Sequence, residues 1–196
     1  MIDAGLPAGV VNIVFGTGPK TGQAIVTHPQ IPLISFTGGT ATGSHIIASS
    51  APFFKKLSLE LGGKNPTIVF ADCDMELALT GSTLAGFANQ GEICLCGSRL
   101  LVEKSIYRTF VDAFVERVKT LKVGPGTVAE NRVGPLVSEQ HMNKVLSYIE
   151  FAKQDSSLKI LCGGERVHVE NHESGYFVAP TVIEGYSFFL WYDTHG

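Results

Sequence analysis

The sequence lacks several features that would indicate nucleic-acid, metal or membrane binding. Its 15 basic and 18 acidic residues give a net charge of −3, and the absence of a long basic run argues against a nucleic-acid-binding surface. The six histidines are scattered, without the spacing of metal ligands. No apolar run approaches the roughly 20 residues of a membrane span, and the first residues do not resemble a signal peptide. We therefore expect a cytoplasmic protein without a metal, a nucleic-acid partner or a membrane contact.

The sequence is also poor in cysteine, which argues against a scaffold held together by disulfides. Its four cysteines, Cys73, Cys94, Cys96 and Cys162, fit a reduced protein better. Cys94 and Cys96 are too close in sequence for an unstrained structural bridge, and no second cysteine pair could complete a zinc site. With 44% hydrophobic residues, the 196-residue chain can instead bury a substantial core.

Glycine, in contrast, is abundant and recurs after short apolar runs. Three of these runs are predicted strands, at residues 10–15, 31–36 and 56–61. The first two lead into glycine loops and then helices, with loops at 16–22 and 37–43 and helices at 23–27 and about 42–49. This alternation is typical of a parallel sheet with crossover helices, so the sequence predicts an α/β fold.

The two glycine loops raise the question of nucleotide binding. The first loop has the form GxGxxxG, whereas the dinucleotide fingerprint requires GxGxxG and an acidic residue about 20 positions later. A structural turn explains this loop equally well. Two such loops after adjacent parallel strands would lie at the same carboxyl edge, where open α/β sheets bind ligands. Together they favour a nucleotide site, although neither contains an acid that would bind a ribose.

After Gly62 and Gly63 the pattern changes. Strands are predicted at 66–70, 99–102, 158–161 and 178–183, and helices at 74–87, 106–121 and 138–153. Asp72 or Asp74 is the predicted N-cap of the first of these helices, and Ser138 that of the last. The sequence contains no internal repeat and no low-complexity segment.

Two residues are candidates for catalysis, one as a base and one as a nucleophile. Glu60 lies near the end of a predicted strand, just before Leu61 and two glycines. It is either a solvated residue or an ion-pair partner at the strand end. If it lies in a crevice, desolvation raises its pKa and makes it a stronger base. Cys94 follows a long predicted helix and a Gln-Gly-Glu turn, where a thiol can be exposed and reactive. A cysteine is often only a small buried hydrophobe, and Cys96, Cys73 and Cys162 compete for the role. Cys73 is the weakest candidate, because acidic residues flank it and disfavour its thiolate.

Three segments, in this order, resemble the aldehyde dehydrogenase superfamily. They are FTGGT at 36–40, LELGGKNP at 59–66 and QGEICLCGSR at 90–99, within a resemblance that runs from about Leu6 through Ile183. Inside the superfamily, residues 57–60, 87–96 and 104–107 are most similar to the branch that oxidises 2-aminomuconic semialdehyde.

The resemblance implies a role for each matching position. Cys94 matches the nucleophile that attacks the aldehyde, and Glu60 matches the base that activates water to hydrolyse the thioester. The positions that match the cofactor site are Gly18, Pro19, Gly22, Gly38, Gly39, Thr40, Gly43 and Leu61. Gly39 stands where a serine is common in the family. The implied cofactor is NAD, with NADP left open because the discriminating acidic residue would precede Met1.

The resemblance also implies a partial aldehyde dehydrogenase fold. Residues 1–63 correspond to the end of a Rossmann-like NAD(P)-binding domain and 64–185 to the first part of the α/β catalytic domain, whereas 186–196 resemble nothing in the family. Family members are more than twice this length and usually homo-oligomeric, with a small-molecule aldehyde as substrate. One alternative is a catalytically inactive fragment that is unstable or associates with full-length subunits, and another is a cofactor-independent esterase using Cys94 and Glu60.

Overall fold

The computed structural model describes residues 2–185, so the predicted non-family tail at 186–196 lies outside the described residues. The described chain divides between Gly62 and Gly63 into two compact units, here called the first unit (2–62) and the second unit (63–185). This division falls one residue before the expected boundary. The assignment of the two parts to cofactor binding and catalysis stays a prediction.

The first unit is built on a pair of parallel strands. These are β1, Leu33–Thr37, and β2, Lys56–Glu60; the helices are α1, Gln23–Thr27, and α2, Thr40–Ser50. Val26, Ile34 and Ile46 are buried, and each comes from a different one of α1, β1 and α2. Thr37 pairs with Glu60, so the two strands end at the same level. The loops that follow them therefore start from one edge.

The second unit begins with another parallel pair, packed against two helices. The strands are β3, Pro66–Val69, and β4, Arg99–Val102; the helices are α3, Met75–Phe87, and α4, Tyr107–Lys119. The Asp74 carboxylate caps α3 by accepting a hydrogen bond from the Leu77 N–H at 2.9 Å. Phe110 is fully buried, and its ring stacks on that of Phe114 with centroids 6.0 Å apart. These aromatic rings form the centre of the core.

A smaller core follows in the same unit. It contains residues of α5, Glu139–Gln154, and Ile160 of β5, Leu158–Cys162. β5 pairs in antiparallel orientation with β6, Val182–Gly185. The Ser138 hydroxyl caps α5 as predicted, accepting from the His141 N–H at 3.2 Å. Met142 and Ile149 of this helix are buried against Leu136. The start of α5 is therefore fixed by both a cap and a buried side chain.

The predicted strand at 10–15 is wrong. Residues 12–17 have no regular secondary structure, and the side chains of Ile13 and Phe15 are 67% and 92% exposed. An apolar, β-branched run satisfies the pattern of a buried strand, but a strand also needs a neighbour for its N–H and C=O groups. No described strand pairs with this run.

The last predicted strand, at 178–183, is also shifted. β6 begins at Val182, and Val178 forms only an isolated bridge with Arg166. Pro180 interrupts the predicted strand, and proline has no N–H to donate to a ladder. The other predicted strands and helices are present, with ends that differ by one or a few residues. Within residues 2–185, no helix is long and apolar enough to cross a membrane.

Candidate active site

Glu60 is the last residue of β2, and its side chain faces away from the core of the first unit. Burial alternates along β2, with Leu57 and Leu59 half-buried and Glu60 exposed. Its main-chain oxygen accepts a hydrogen bond from the Gly38 N–H at 3.0 Å. Within the described part of the chain, no residue forms an ion pair or hydrogen bond with the Glu60 carboxylate. The carboxylate is therefore open to contact with a water or a ligand.

Gly39 precedes α2 and leaves the start of that helix open. As the N-cap it has φ −70° and ψ 147°, and it has no side chain to accept from the first-turn N–H groups. A Cβ added at Gly39 would meet nothing within 4 Å. Gly39 and Thr40 are both exposed. The uncapped N–H groups of an 11-residue helix can bind an anion there.

Two further predicted cofactor residues contact each other inside the first unit. A Cβ at Gly43 would lie 2.7 Å from the Leu61 side chain, so glycine at this buried position allows Leu61 to pack on α2. A Cβ at Gly38 would lie 2.4 Å from the Phe36 ring. A Cβ at Gly38 or Gly43 would therefore displace the side chain of Phe36 or Leu61, whatever these glycines contribute to a cofactor.

The first glycine loop forms the start of α1. Gly18–Gly22 is one turn of π-helix with Pro19 in its first positions, and it continues directly into Gln23–Thr27. Gly18 and Pro19 are exposed, and a Cβ at Gly18 or Gly22 would meet nothing within 4 Å. His45 Nε2 of α2 lies 2.6 Å from the Gln23 side-chain oxygen, and this contact joins α1 to α2.

These features of the first unit fit the diphosphate of a dinucleotide. The fit rests on the exposed, uncapped start of α2 and on open space at Gly18, Gly22 and Gly39. Main-chain N–H groups at a helix start favour negative charge, and glycine permits close approach of a ligand. Thr40 adds a hydroxyl at the first helical position.

Among the four thiols, Cys94 is the exposed one. Cys96 is buried, and its Sγ donates a hydrogen bond to the Ala85 carbonyl at 3.0 Å. Burial raises the pKa of Cys96, an effect partly offset by the positive charge of Lys64. Burial also raises the pKa of Cys162, and Cys73 is half-buried against the core around Phe110. A thiol that must meet a dissolved substrate is best provided by Cys94.

The main chain of Cys94 is held by residues of the segment that precedes β3. Asn65 Nδ2 donates a hydrogen bond to the Cys94 carbonyl at 2.8 Å. A Cβ at Gly63 would lie 2.5 Å from the same carbonyl oxygen and 2.9 Å from Asn65 Nδ2. Glycine at position 63 is thus required for the close approach of the Cys94 loop.

Sequence reasoning did not assign a role to Asn65, to Glu92 or to His141. Asn65 follows the predicted base by five positions, and no sequence signal indicates that its amide contacts a residue 29 positions away. Glu92 Oε1 lies 2.8 Å from His141 Nε2, again a contact over a long sequence separation. These contacts exist only because the fold brings separate segments together.

The predicted site residues are distributed over both units. The first unit contains Glu60 and all of the predicted cofactor residues, and the second unit contains Cys94. Among the residues that the structure describes, no group of three His, Cys, Asp or Glu side chains could hold a metal ion.

Comparison with known proteins identifies the family. The aldehyde dehydrogenase family model matches residues 1–187. The 2-aminomuconic semialdehyde dehydrogenase of Danio rerio is 50% identical over 186 residues, which are 93% of this chain and 38% of that protein. The Homo sapiens protein of the same name is 49% identical over 92% of this chain and 37% of its own length. The chain therefore spans under two fifths of these curated relatives.

Solved structures agree with the sequence comparison. Betaine aldehyde dehydrogenase from Staphylococcus aureus, in complex with NAD+, matches with a TM-score of 0.87 and 40% identity, covering 93% of this chain and 36% of that one. HpcC from Thermus thermophilus matches with a TM-score of 0.88 and 42% identity, again over 93% and 36%. The expected partial aldehyde dehydrogenase fold is confirmed, and the chain belongs to the aldehyde dehydrogenase family.

Proposed function

We propose that this chain carries the nucleophile, the base and part of the cofactor site of an NAD+-dependent aldehyde dehydrogenase, which oxidises an aldehyde to a carboxylic acid. The observation that carries the proposal is the exposed thiol of Cys94 on a main chain fixed by Asn65, in a chain of this family. The proposed substrate is 2-aminomuconic semialdehyde, because the relatives of that name are 49–50% identical to this chain.

In the proposed first step, the Cys94 thiolate attacks the carbonyl carbon of the aldehyde and forms the oxyanion of a thiohemiacetal. Bound NAD+ supplies the hydride acceptor. Loss of hydride from the former aldehyde carbon leaves a thioester on Cys94. Because Cys94 is exposed, its Sγ can reach a substrate without displacement of a covering side chain.

In the second step, Glu60 acts as general base. Its carboxylate removes a proton from water as the water oxygen attacks the thioester carbonyl carbon. The C–S bond then breaks, releasing the carboxylic acid and regenerating the Cys94 thiolate. The absence of a structural ion-pair partner for Glu60 among the described residues supports this role, since the carboxylate is available to the water.

The proposed cofactor contacts lie in the first unit. The start of α2, with Gly38, Gly39 and Thr40, would bind phosphate oxygens through main-chain N–H groups. Gly18, Pro19 and Gly22 would form the adenine side of the site at the start of α1. Gly43 would act by seating Leu61, whose main chain would face the nicotinamide. NAD+ is proposed because the matching Staphylococcus aureus structure contains it.

A non-catalytic role is the second candidate, and the exposed apolar run at 10–15 favours it. Such a run can pair with a strand of another polypeptide, so the chain would associate with full-length subunits of its family.

We expect NAD+ binding by calorimetry and a cooperative thermal melt if the chain forms a cofactor site by itself. A lack of both, together with co-purification with a full-length subunit, would support the second candidate instead.

Replacing the proposed nucleophile tests the first step. Cys94→Ser should lower the rate of aldehyde-dependent NADH formation by about 10³-fold or more, because a serine hydroxyl without an activating base is a poor nucleophile at neutral pH. The measurement is absorbance of NADH in a single turnover. Cys73→Ser is the control and should stay within about twofold of wild type. Equal losses in the two variants would contradict the assignment of Cys94.

Replacing the base should separate the two steps. Glu60→Gln removes the proton acceptor but keeps the size of the side chain, so NADH should still form in one stoichiometric burst while steady-state turnover falls by about 10²-fold or more. Mass spectrometry should find an acyl group on the protein. Ser58→Ala, on the same exposed face of β2, should leave both phases unchanged. A loss of the burst itself would contradict the role of Glu60 in hydrolysis.

The close approach at Gly63 gives a steric test of the Cys94 loop. Gly63→Ala places a methyl group 2.5 Å from the Cys94 carbonyl oxygen, so the loop must shift and the NADH burst should slow by about tenfold or more. Gly62→Ala is the matched control, because its added methyl group would meet nothing within 4 Å. Similar rates for the two alanine variants would show that the approach at Gly63 does not position the nucleophile.

A further inference from the structure

The segment just before Cys94 has an unusual main chain. Asn89, Gln90 and Gly91 all have positive φ angles, of 48°, 59° and 79°. Glycine adopts such angles freely, but Asn89 and Gln90 do so at an energetic cost. Two consecutive non-glycine residues in this region persist only where surrounding contacts fix them. Contacts with surrounding residues must therefore stabilise the main chain of residues 89–91.

Contacts within the segment are not enough to fix it against the rest of the unit. The Glu92 N–H donates to the Asn89 carbonyl at 2.9 Å, and Asn89 Nδ2 donates to the Glu92 carbonyl at 3.2 Å. These two hydrogen bonds close a turn between residues 89 and 92. They define its shape, but they do not join it to another element.

Two contacts with later parts of the chain do join it. Gln90 Oε1 accepts a hydrogen bond from the Gly134 N–H at 3.3 Å. Glu92 Oε1 lies 2.8 Å from Nε2 of His141, with the two side chains 33% and 38% exposed. Gly134 precedes α5 and His141 lies in its first turn. The same region of the fold therefore holds both Gln90 and Glu92.

His141 is itself well fixed. Its N–H is the donor to the Ser138 cap, and the next residue, Met142, is buried in the core beside Leu136. On the other side of Cys94, the Cys96 thiol is anchored on Ala85. Cys94 therefore lies between two anchored positions, two residues after Glu92 and two residues before Cys96.

We propose that Glu92 and His141, assisted by the hydrogen bond between Gln90 and Gly134, form a clamp that positions the main chain of Cys94. The clamp joins the strained turn to the capped start of α5. Glu92 and His141 are positioning residues, since they act on the nucleophile through the main chain. The inference rests on the proposed function only in taking Cys94 as the nucleophile.

Hydrogen exchange of the full chain tests the clamp without cofactor or substrate. The amides of Glu92, Cys96 and Gly97 donate to carbonyls in or beside the loop and report its opening. Glu92→Ala and His141→Ala should each speed exchange in this segment by about threefold or more. The double variant should exchange no faster than the faster single variant, because both changes break one contact.

A conservative variant separates positioning from a general loss of stability. Glu92→Gln keeps an oxygen that can accept from the imidazole Nε2–H, so exchange should stay within about twofold of wild type. Lys153→Ala breaks an exposed ion pair with Glu150 on the same helix and should leave the loop unchanged. Additive effects of the two alanine changes, or no rescue by glutamine, would overturn the clamp.

A last variant distinguishes failure of the clamp from failure of the proposed function. Cys94→Ser should leave the exchange of residues 92–97 at the wild-type rate while lowering the rate of NADH formation by about 10³-fold or more. NADH formation at the wild-type rate in Cys94→Ser would contradict the assignment of Cys94 as nucleophile. The contact between Glu92 and His141 would then have no role in positioning a nucleophile. Unchanged exchange in Glu92→Ala and His141→Ala would overturn the clamp alone.

Discussion

The hydrogen bond from Asn65 to the Cys94 carbonyl is the contact on which the candidate site most depends. A reactive thiol has to be exposed, so packing of its own side chain cannot hold it in place. Its main chain has to be held instead, and here the Asn65 amide does so directly from the segment before β3. Gly63 makes room for this approach, because a Cβ at this position would lie only 2.5 Å from the Cys94 carbonyl oxygen.

In the first unit, strand register determines where Glu60 lies. Ile34 of β1 and Leu59 of β2 pack into the same core, and their alternation places Glu60 on the opposite face. A shift of one residue would exchange the two faces, burying the carboxylate and exposing the leucines. The apolar pattern of β2 therefore keeps a charged group exposed at the edge where the loops after β1 and β2 begin.

Sequence patterns predicted the elements whose signals are local. The N-cap at Ser138 is an example, since capping depends on residues within one turn. The strand predicted at residues 10–15 is absent because its signal is not sufficient locally. A strand also needs a neighbouring strand to pair with, and an apolar run does not specify one. The site follows the same division: Cys94 and Glu60 lie in recognisable segments, whereas contacts such as Glu92 with His141 depend on the folded chain.

Gly39 shows how one substitution can have two opposing effects on the proposed cofactor site. Relative to the serine common at this position, glycine removes a hydroxyl that could contact a ligand. A serine at an N-cap, however, also accepts hydrogen bonds from the first-turn N–H groups of its own helix. With glycine these donors of α2 stay free, and an anion can approach without a side chain in the way. The loss of one donor is therefore offset by main-chain donors of the first turn that no side-chain cap occupies.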